Sequence, residues 1–339
     1  MKTAIVGASG YAGTELLRLL LDHPKFEPTV ITAHSNAGEL ISSVAPQLAK
    51  LGDRRFENFD LAKVNACDLV FLALPHGESA ALIAQLDPEL KVVDLGADFR
   101  LTGAEKWARY YGGTHAGTWT YGLPELPGKR EAIAKSTRVA NPGCYATSIS
   151  LAIAPALELI DSQDIVVVAA SGTTGAGRNA KVNLLGSEVM GSLSSYKFGG
   201  VHQHTPEIEE ALTHIAGSDV KISLTPILAP MPRGILSTVT AKLTSSATTE
   251  TMHALYTKAY AADEFVTVLP IGQMPKTNSV IGSNHVQLQV AVDTHAHRLI
   301  ISAVIDNLGK GAAGQAIQNA NLICGLPENA GLEMLGLGV

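Results

Sequence analysis

Lys2-Thr3-Ala4-Ile5-Val6-Gly7-Ala8-Ser9-Gly10-Tyr11-Ala12-Gly13 opens the chain with a short apolar run that leads directly into a glycine-rich loop. Leucine-rich residues 15–21 follow at a spacing that suits a buried helix, which Asp22-His23-Pro24 would end. A strand, a glycine loop and a helix in this order are the setting in which backbone N–H groups bind the pyrophosphate of a dinucleotide. Glycines also serve ordinary tight turns, but this context predicts a dinucleotide-binding domain.

The end of the second predicted strand bears on which cofactor this domain would bind. We predict that strand from Pro28 to His34, and NAD sites of this type have an acidic residue at its end, on the ribose 2′-hydroxyl. The chain continues instead with Ser35-Asn36, neutral residues that would accommodate a 2′-phosphate. The pattern favours NADP over NAD, unless Glu39 slightly further on takes the acidic role.

Two more buried strands are predicted, and each leads into a polar loop. Asp68 to Leu74 is almost entirely apolar, as in a central parallel strand, and Lys91 to Leu95 is a second such run. Ligands of α/β sheets bind beyond the carboxyl ends of strands. His76 in the first loop could touch a ligand or simply be solvated. Arg100 in the second loop could bind a carboxylate or phosphate, or pair with an acidic neighbour such as Asp98.

Val139-Ala140-Asn141-Pro142-Gly143-Cys144-Tyr145-Ala146-Thr147 places a cysteine at a turn between a predicted strand and a predicted helix. Pro142-Gly143 forces the turn, and the apolar residues beyond it fit a buried helix. At a helix N-terminus, unpaired N–H groups and the helix dipole lower a thiol pKa and favour the nucleophilic thiolate. The alternative for Cys144 is an inert cysteine, since free cysteine is among the most buried residue types.

Two further motifs lie in the second half of the chain. Ser171-Gly172-Thr173-Thr174-Gly175-Ala176-Gly177-Arg178 follows a predicted strand and could bind a phosphate or a ring, or form a flexible crossover. In His202-Gln203-His204-Thr205-Pro206-Glu207, Thr205 as N-cap and Pro206 as first helical residue predict a helix that ends at Ala216. Two histidines without a nearby third ligand make a poor zinc site, so we predict no metal.

The rest of the chain predicts a second domain of a different kind. Alternating apolar residues indicate a mixed or antiparallel sheet with one buried face. The predicted fold class is therefore α/β, with a Rossmann-like domain over residues 1–143 plus a C-terminal helix at about 308–330, and an α+β domain over residues 144–307. The second domain's strands are predicted at Asp164 to Ala170, Lys221 to Leu228, Leu236 to Leu243, Val286 to Val292 and Arg298 to Ile305, with a helix at Thr249 to Ala262.

Composition limits the classes of function that remain. The 339 residues carry 25 Lys and Arg against 31 Asp and Glu, with no basic block, which argues against a nucleic-acid partner. No apolar run is long enough to span a membrane, and the N-terminus leads into a strand without the pattern of a signal peptide. We therefore expect a cytoplasmic protein. The three cysteines are far apart, which suits a reducing compartment.

Several of these motifs together resemble the N-acetyl-γ-glutamyl-phosphate reductases of arginine biosynthesis. The cysteine motif, the second glycine loop and the double-histidine motif carry the resemblance, and the first glycine loop, Asp98-Phe99-Arg100-Leu101, Met231-Pro232-Arg233-Gly234 and residues 306–313 extend it over the full length. Residues 306–313 also resemble aspartate-semialdehyde dehydrogenase. Two residues depart from the pattern, since Gln203 replaces the more common arginine and Ser148 replaces a glycine or alanine.

The resemblance implies reductive dephosphorylation of an acyl phosphate. The Cys144 thiolate would attack the carbonyl and expel phosphate, and NADPH would reduce the resulting thioester to a thiohemiacetal that collapses to N-acetylglutamate 5-semialdehyde. His204, with Glu207 nearby, would act as acid/base on the thiohemiacetal oxygen. The second domain would be catalytic and would join a homodimer or homotetramer through its sheet.

The resemblance also assigns residues to the substrate and the cofactor. The implied substrate-binding residues are Arg100, Asn141, Tyr196, His202 and Glu207. The implied cofactor-binding residues are Gly7, Ser9, Gly10, Tyr11, Ala12 and Gly13 at the pyrophosphate, Ser35 at the 2′-phosphate, and Ser171, Gly172, Gly175, Asn284 and Gly311 at the nicotinamide.

Two alternatives remain open. A reductase of aspartyl or N-acetylaminoadipyl phosphate would share the mechanism and differ in the substrate pocket. A catalytically silent NADP-binding sensor would keep the fold, although the presence of both Cys144 and His204 in their motifs argues against it. A thiol titration separates these classes, because an enzyme would show one fast-reacting cysteine.

Overall fold

A computed structural model describes residues 1–338, and the chain in it divides into two compact units. The first unit comprises residues 1–124, 128–142 and 312–333, and the second comprises residues 125–127, 143–311 and 334–338. Gly143 and residues 125–127 and 308–311 thus lie in the second unit, whereas the sequence prediction puts them in the first. Within the described range, no helix is both long and apolar enough to cross a bilayer.

The strands form one sheet in each unit. The first sheet contains β1 (Lys2–Val6), β2 (Glu27–Thr32), β3 (Leu69–Leu72), β4 (Lys91–Asp94), β5 (Thr120–Tyr121) and β6 (Arg138–Ala140). The second contains β7 (Ile160–Ser171), β8 (Ser194–Ser195), β9 (Ile222–Leu228), β10 (Ile235–Leu243), β11 (Val266–Val268), β12 (Val286–Asp293) and β13 (Arg298–Ile305).

Among residues 1–338, α-helices connect most of the strands, but none lies between β9 and β10, between β11 and β12 or between β12 and β13. They are α1 (Tyr11–Leu20), α2 (Ile41–Val44), α3 (Leu61–Asn65), α4 (Ser79–Ile83), α5 (Ala104–Tyr110), α6 (Lys129–Ala134), α7 (Cys144–Ile153), α8 (Gly186–Val189), α9 (His204–Ala216), α10 (Thr249–Ala259) and α11 (Gly314–Ile323). Short 3₁₀ segments cover Pro46–Leu51, Ala154–Leu159, Thr173–Ala176, Val182–Leu184 and Thr277–Ser279, and a π-helical turn covers Gly309–Ala313.

The sheet of the first unit is parallel, with strand order β2-β1-β3-β4-β6-β5. All four residues of β3 are buried, because a central parallel strand is covered on both faces, and this is the reason for its continuous apolar sequence. The helix α1 begins directly after the glycine loop, with Gly10 as its N-cap. The predicted Rossmann-like fold is confirmed.

The sheet of the second unit is mixed, with order β11-β12-β13-β10-β7-β9-β8. The pairs β7–β9 and β11–β12 are parallel, and β12 and β13 form the predicted antiparallel hairpin. Burial alternates along β10, and α7 packs against β10 and β13. The helix that starts at Cys144 therefore lies on the buried face of this sheet.

The start of α9 differs from the prediction. The helix begins at His204 with Gln203 as its N-cap, rather than at Pro206 after Thr205. The Thr205 hydroxyl is buried and bonds none of the described residues, whereas Nδ1 of His202 accepts the His204 N–H at 3.1 Å. A histidine ring does what the predicted threonine cap would have done, and the helix starts earlier.

Candidate active site

Cys144 is the first residue of α7 and is partly exposed, so the inert buried alternative does not describe it. Its neighbours at this helix start are the open backbone N–H groups that favour a thiolate. The other two cysteines differ. Burial raises the pKa of the Cys67 thiol, and it raises the pKa of Cys324 to about 11. Both would remain thiols at neutral pH.

Gly143 lies between the cysteine and the histidine motif. Its N–H donates to Oε1 of Glu207 at 2.8 Å, and Glu207 is itself buried. A Cβ on Gly143 would lie 2.6 and 2.7 Å from Cε1 and Cδ2 of His204. The His204 ring thus packs directly on the backbone of the residue before Cys144, and only glycine leaves it that space.

The two histidines of the motif have different surroundings. Their ring centroids are 4.9 Å apart, and His202 is 7% exposed. Burial, assisted by the charge of Lys197, lowers the pKa of His202 to about 4, so this ring is neutral near pH 7. Since His202 also accepts the His204 N–H, it fixes the backbone of its neighbour.

Two tyrosines complete the cluster around the histidines. The hydroxyls of Tyr145 and Tyr196 lie 2.9 Å apart, and both rings contact His202 edge-on. Burial raises the pKa of Tyr196 to about 12 and raises that of Tyr145 still further, so both phenols stay protonated. Tyr145 follows the cysteine directly, and nothing in its sequence pattern singles it out.

Gly311 borders Cys144 on another side. It lies in the π-helical turn, and a Cβ on it would lie 2.8 Å from Cβ of Cys144. The turn is anchored by Lys310, fully buried, whose Nζ donates to Oε1 of Glu125 at 2.6 Å. π-helical turns of this kind are frequent at functional sites. The predicted C-terminal helix thus starts close to its predicted position, but its first turn is π-helical rather than α-helical and packs against the cysteine.

The second glycine loop is fixed rather than flexible. A Cβ on Gly172 would lie 2.8 Å from the backbone of Pro232 and Arg233, so the two loops are in close backbone contact. Asn307 joins them by accepting the Gly234 N–H and donating to the Thr174 hydroxyl. The other predicted nicotinamide residues in this unit are Ser171 and Asn284, both buried, and Gly175, which lies beside Ser171.

Two glycines of the first unit's loop lie where no larger side chain fits. Gly7 has a φ of +87°, and a Cβ on it would lie 2.9 Å from the Ala73 carbonyl carbon. A Cβ on Gly13 would lie 2.6 Å from Cα of Ala8. Ser9, Gly10, Tyr11 and Ala12 are partly exposed at the start of α1, so a ligand can reach their backbone. These residues fit the predicted cofactor.

The loop after β2 holds both the predicted and the alternative determinants of cofactor choice. Ser35 is exposed, and the Asn36 amide donates to Glu39 at 3.3 Å. Arg55, which the sequence prediction missed, is exposed and donates to the Gly38 carbonyl at 2.8 Å. A guanidinium therefore lies on the same loop as Ser35, although Arg55 follows the loop by many residues.

Arg100 and Asn141 are joined to each other in the first unit. Nε of Arg100 donates to the Asn141 carbonyl at 2.7 Å, and another guanidinium nitrogen donates to the Leu95 carbonyl. The Asn141 amide donates to the Ala312 carbonyl and accepts from Asn319. The structure thus shows both side chains holding the chain just before the cysteine. His76 is exposed against Tyr111.

No group of three or more His, Cys, Asp or Glu side chains with the geometry of a metal site occurs among residues 1–338.

The sequence matches two family models and many curated proteins. The model of the semialdehyde dehydrogenase NAD-binding domain matches residues 2–136, and that of the semialdehyde dehydrogenase dimerisation domain matches residues 144–307. The N-acetyl-γ-glutamyl-phosphate reductase of Acidothermus cellulolyticus is 56% identical over 99% of this chain and 98% of its own length. Those of Salinispora arenicola and Streptomyces avermitilis are 56% and 53% identical over 99% of both chains.

The chain belongs to the N-acetyl-γ-glutamyl-phosphate reductase family. It is an oxidoreductase, and its first unit is of the type that binds a nicotinamide dinucleotide. Solved structures with the same fold include aspartate-semialdehyde dehydrogenase II of Vibrio cholerae (TM-score 0.71, 17% identity, 95% of this chain and 98% of that one). The aspartate-semialdehyde dehydrogenase of Candida albicans, solved with NADP, has a TM-score of 0.68 at 16% identity, over 95% of this chain and 98% of that one.

Proposed function

We propose that this protein catalyses the NADPH-dependent reductive dephosphorylation of N-acetyl-γ-glutamyl phosphate to N-acetylglutamate 5-semialdehyde, in arginine biosynthesis. The observation that supports it most is the packing of the His204 ring against Gly143, next to a cysteine at a helix start. A nucleophile beside a possible acid/base is what an acyl transfer through the enzyme requires. Full-length relatives at 51–56% identity carry the name of this reductase.

Cys144 acts first in the proposed mechanism. Its thiolate attacks the acyl carbon of the substrate, and the bond from that carbon to the phosphate oxygen breaks, so that phosphate leaves and a thioester remains on the sulfur. When bound, NADPH supplies the hydride that reduces this thioester. His204 protonates the developing thiohemiacetal oxygen and removes that proton again as the aldehyde forms and the Cys144 thiolate departs.

The surrounding side chains hold these two groups in place. The buried carboxylate of Glu207 accepts the Gly143 N–H, and neutral His202 accepts the N–H of His204. We assign Tyr196, with Tyr145 behind it, to hydrogen-bond donation toward the substrate, because both phenols remain protonated. Arg100 and Asn141 are assigned to the substrate as well, in addition to the backbone contacts that they make.

We assign NADP to the first unit. Gly7, Ser9, Gly10, Tyr11, Ala12 and Gly13 would hold its pyrophosphate, and Ser35, with Arg55 on the same loop, would hold the 2′-phosphate. Ser171, Gly172, Gly175, Asn284 and Gly311 would border the nicotinamide.

We propose that the protein assembles as a homodimer or homotetramer through the sheet of the second unit. Val166 and Val168 on β7 are exposed, which is unusual for consecutive outward positions of a strand near the middle of a sheet. Light scattering of the wild type should give a mass of two or four chains, and Val168→Asp should lower it. An unchanged monomer mass in both would contradict the assembly.

Substitution of the cysteines tests the reaction. Cys144→Ser should keep NADPH binding and lose nearly all turnover in both directions, because a serine hydroxyl is hardly ionised near pH 7. Cys67→Ala is the matched control and should keep turnover near the wild-type value. More than about a tenth of the wild-type kcat in Cys144→Ser, equivalent to only ~1.4 kcal/mol of barrier, would contradict the thioester mechanism.

A further inference from the structure

Lys197 is held at the edge of the histidine cluster. Its Nζ donates to Oε1 of Gln203 at 2.7 Å, and Gln203 is the residue between the two histidines. The neighbouring residue in the chain is Tyr196, whose hydroxyl bonds that of Tyr145 beside the cysteine. The ammonium of Lys197 and the side chain of the neighbouring Tyr196 therefore both contact residues of the cluster.

The position of Lys197 is unfavourable for the fold. The backbone φ of Lys197 is +43°, in the left-handed region that residues other than glycine rarely adopt. Its charge lies against Gln203, the N-cap of α9, where the helix dipole is also positive. A residue that conflicts with local structure in two ways is a candidate for a functional role.

The charge of Lys197 is also not neutralised by the protein. Among the residues that the structure describes, it pairs with no carboxylate, and its hydrogen bond is to a neutral amide oxygen. The side chain is exposed, so the remaining ammonium protons can reach a ligand. The effect of this charge on the pKa of His202 indicates that it lies within electrostatic range of the cluster.

We propose that Lys197, oriented by Gln203, is a substrate-binding residue that attracts the anionic oxygens of the acyl phosphate to the Cys144–His204 site. The proposal rests on the proposed function, because that substrate carries both a phosphate and a carboxylate. An ammonium gains its strongest hydrogen bonds from such groups. Because Gln203 is neutral, Lys197 supplies the positive charge at this point of the site.

The experiment compares four variants in steady-state kinetics and in alkylation of Cys144. Lys197→Gln should raise KM for the acyl phosphate about 5- to 20-fold with kcat within about twofold, as expected for a charged hydrogen bond at an exposed site. Lys197→Arg should stay near wild type, and Lys258→Gln, at an exposed lysine of α10, is the matched control. Lys197→Gln combined with Gln203→Arg should restore KM, since it returns one positive charge to the same helix start.

Alkylation by iodoacetamide gives a measure that does not depend on turnover. Inorganic phosphate and N-acetylglutamate should each protect Cys144, and a shift of the half-protecting concentration in Lys197→Gln for one of them identifies the group that Lys197 binds. Unchanged half-protection for both anions, or an equal loss in Lys197→Arg and Lys197→Gln, would overturn the proposal. Absence of wild-type turnover on the acyl phosphate, with the protection shift present, would instead refute the proposed function alone.

Discussion

His202 and His204 are two residues apart, yet their rings have different surroundings. The ring of His204 packs on Gly143 beside the cysteine, whereas that of His202 is buried, neutral and engaged as the acceptor of a backbone N–H. The resemblance assigns the acid/base role to His204 and a substrate-binding role to His202. The difference in burial and packing supports that assignment, which stays a prediction.

We expect His204→Asn to lower kcat by about 10²- to 10⁴-fold, the usual effect of losing a positioned acid/base. NADPH affinity should hardly change. His202→Asn should lower kcat by no more than about fivefold, or ~1 kcal/mol of barrier, because asparagine can still accept the His204 N–H. Single-mutant kinetics in both directions decide between them. A larger loss in His202→Asn in both directions would reverse the assignment.

The choice of cofactor is expected to depend on Arg55. Arg55→Ala should reduce kcat/KM for NADPH about 10-fold or more and leave that for NADH nearly unchanged, because only NADPH has a 2′-phosphate to bind a guanidinium. Arg54, whose guanidinium donates to the Pro28 and Thr29 carbonyls, provides the control through Arg54→Lys. Equal wild-type values for the two cofactors would show that this loop does not distinguish them.

At the scale of elements, α7 is the helix on which the site is built, and buried phenols hold its far end. Tyr256 donates to the Ala152 carbonyl at 2.6 Å, and Tyr260 donates to the Leu151 carbonyl. Carbonyls in the last turn of a helix lack partners within the helix. The helix α10 thus supplies the C-terminal cap of α7 through side chains more than a hundred residues away.

Tyr256→Phe removes one of these caps and should destabilise the protein by about 1–3 kcal/mol, because a buried carbonyl loses its donor. Urea unfolding followed by circular dichroism measures the change. Thr257→Ala on the exposed side of the same helix should change stability by less than about 1 kcal/mol. A loss in Tyr256→Phe no larger than that of the control would show that the phenol does not cap α7.

Elements whose position is set by their own sequence could be predicted. Elements whose position depends on contacts with distant residues could not. β1, α1, β6 and α7 follow from apolar runs interrupted by glycine or proline, and their predicted positions agree with the structure to within a few residues. The start of α9 depends on a histidine ring, and the π-helical turn depends on contact between Gly311 and Cys144. Likewise, Arg55 lies in no motif, and only folding brings it to the loop that holds Ser35.

At the scale of the whole molecule, the two units should respond to acid in opposite directions. Burial raises the pKa of Asp94 in the first unit to about 6, so the folded state binds this proton more tightly than the unfolded state does. The stability that the protonated carboxyl contributes is fully present below the unfolded pKa and is lost as pH rises through 6. His202 in the second unit has its pKa lowered to about 4, so the unfolded state binds protons first and stability is lost as pH falls from about 6.5 to 4.

As pH falls from 7.5 to 5, the free energy of unfolding of the wild type should therefore rise relative to that of Asp94→Asn by about 1–3 kcal/mol. Over the same change in pH, it should fall relative to that of His202→Asn by about 1–3 kcal/mol. Trp107 and Trp119 both lie in the first unit, so tryptophan fluorescence follows that unit, while circular dichroism follows both. Stability differences that do not vary with pH would contradict the shifted pKa values of Asp94 and His202.

The two glycines that border Cys144 limit how this enzyme could be redesigned. Gly143 leaves no space for a methyl group against the His204 ring, and Gly311 leaves none against Cys144, so neither glycine can be replaced without moving a residue of the site. Side chains further out, such as Lys197 and Gln203, are exposed or partly exposed and tolerate replacement more easily. A library aimed at longer or differently charged acyl phosphates should diversify Lys197 and Gln203 and keep both glycines fixed.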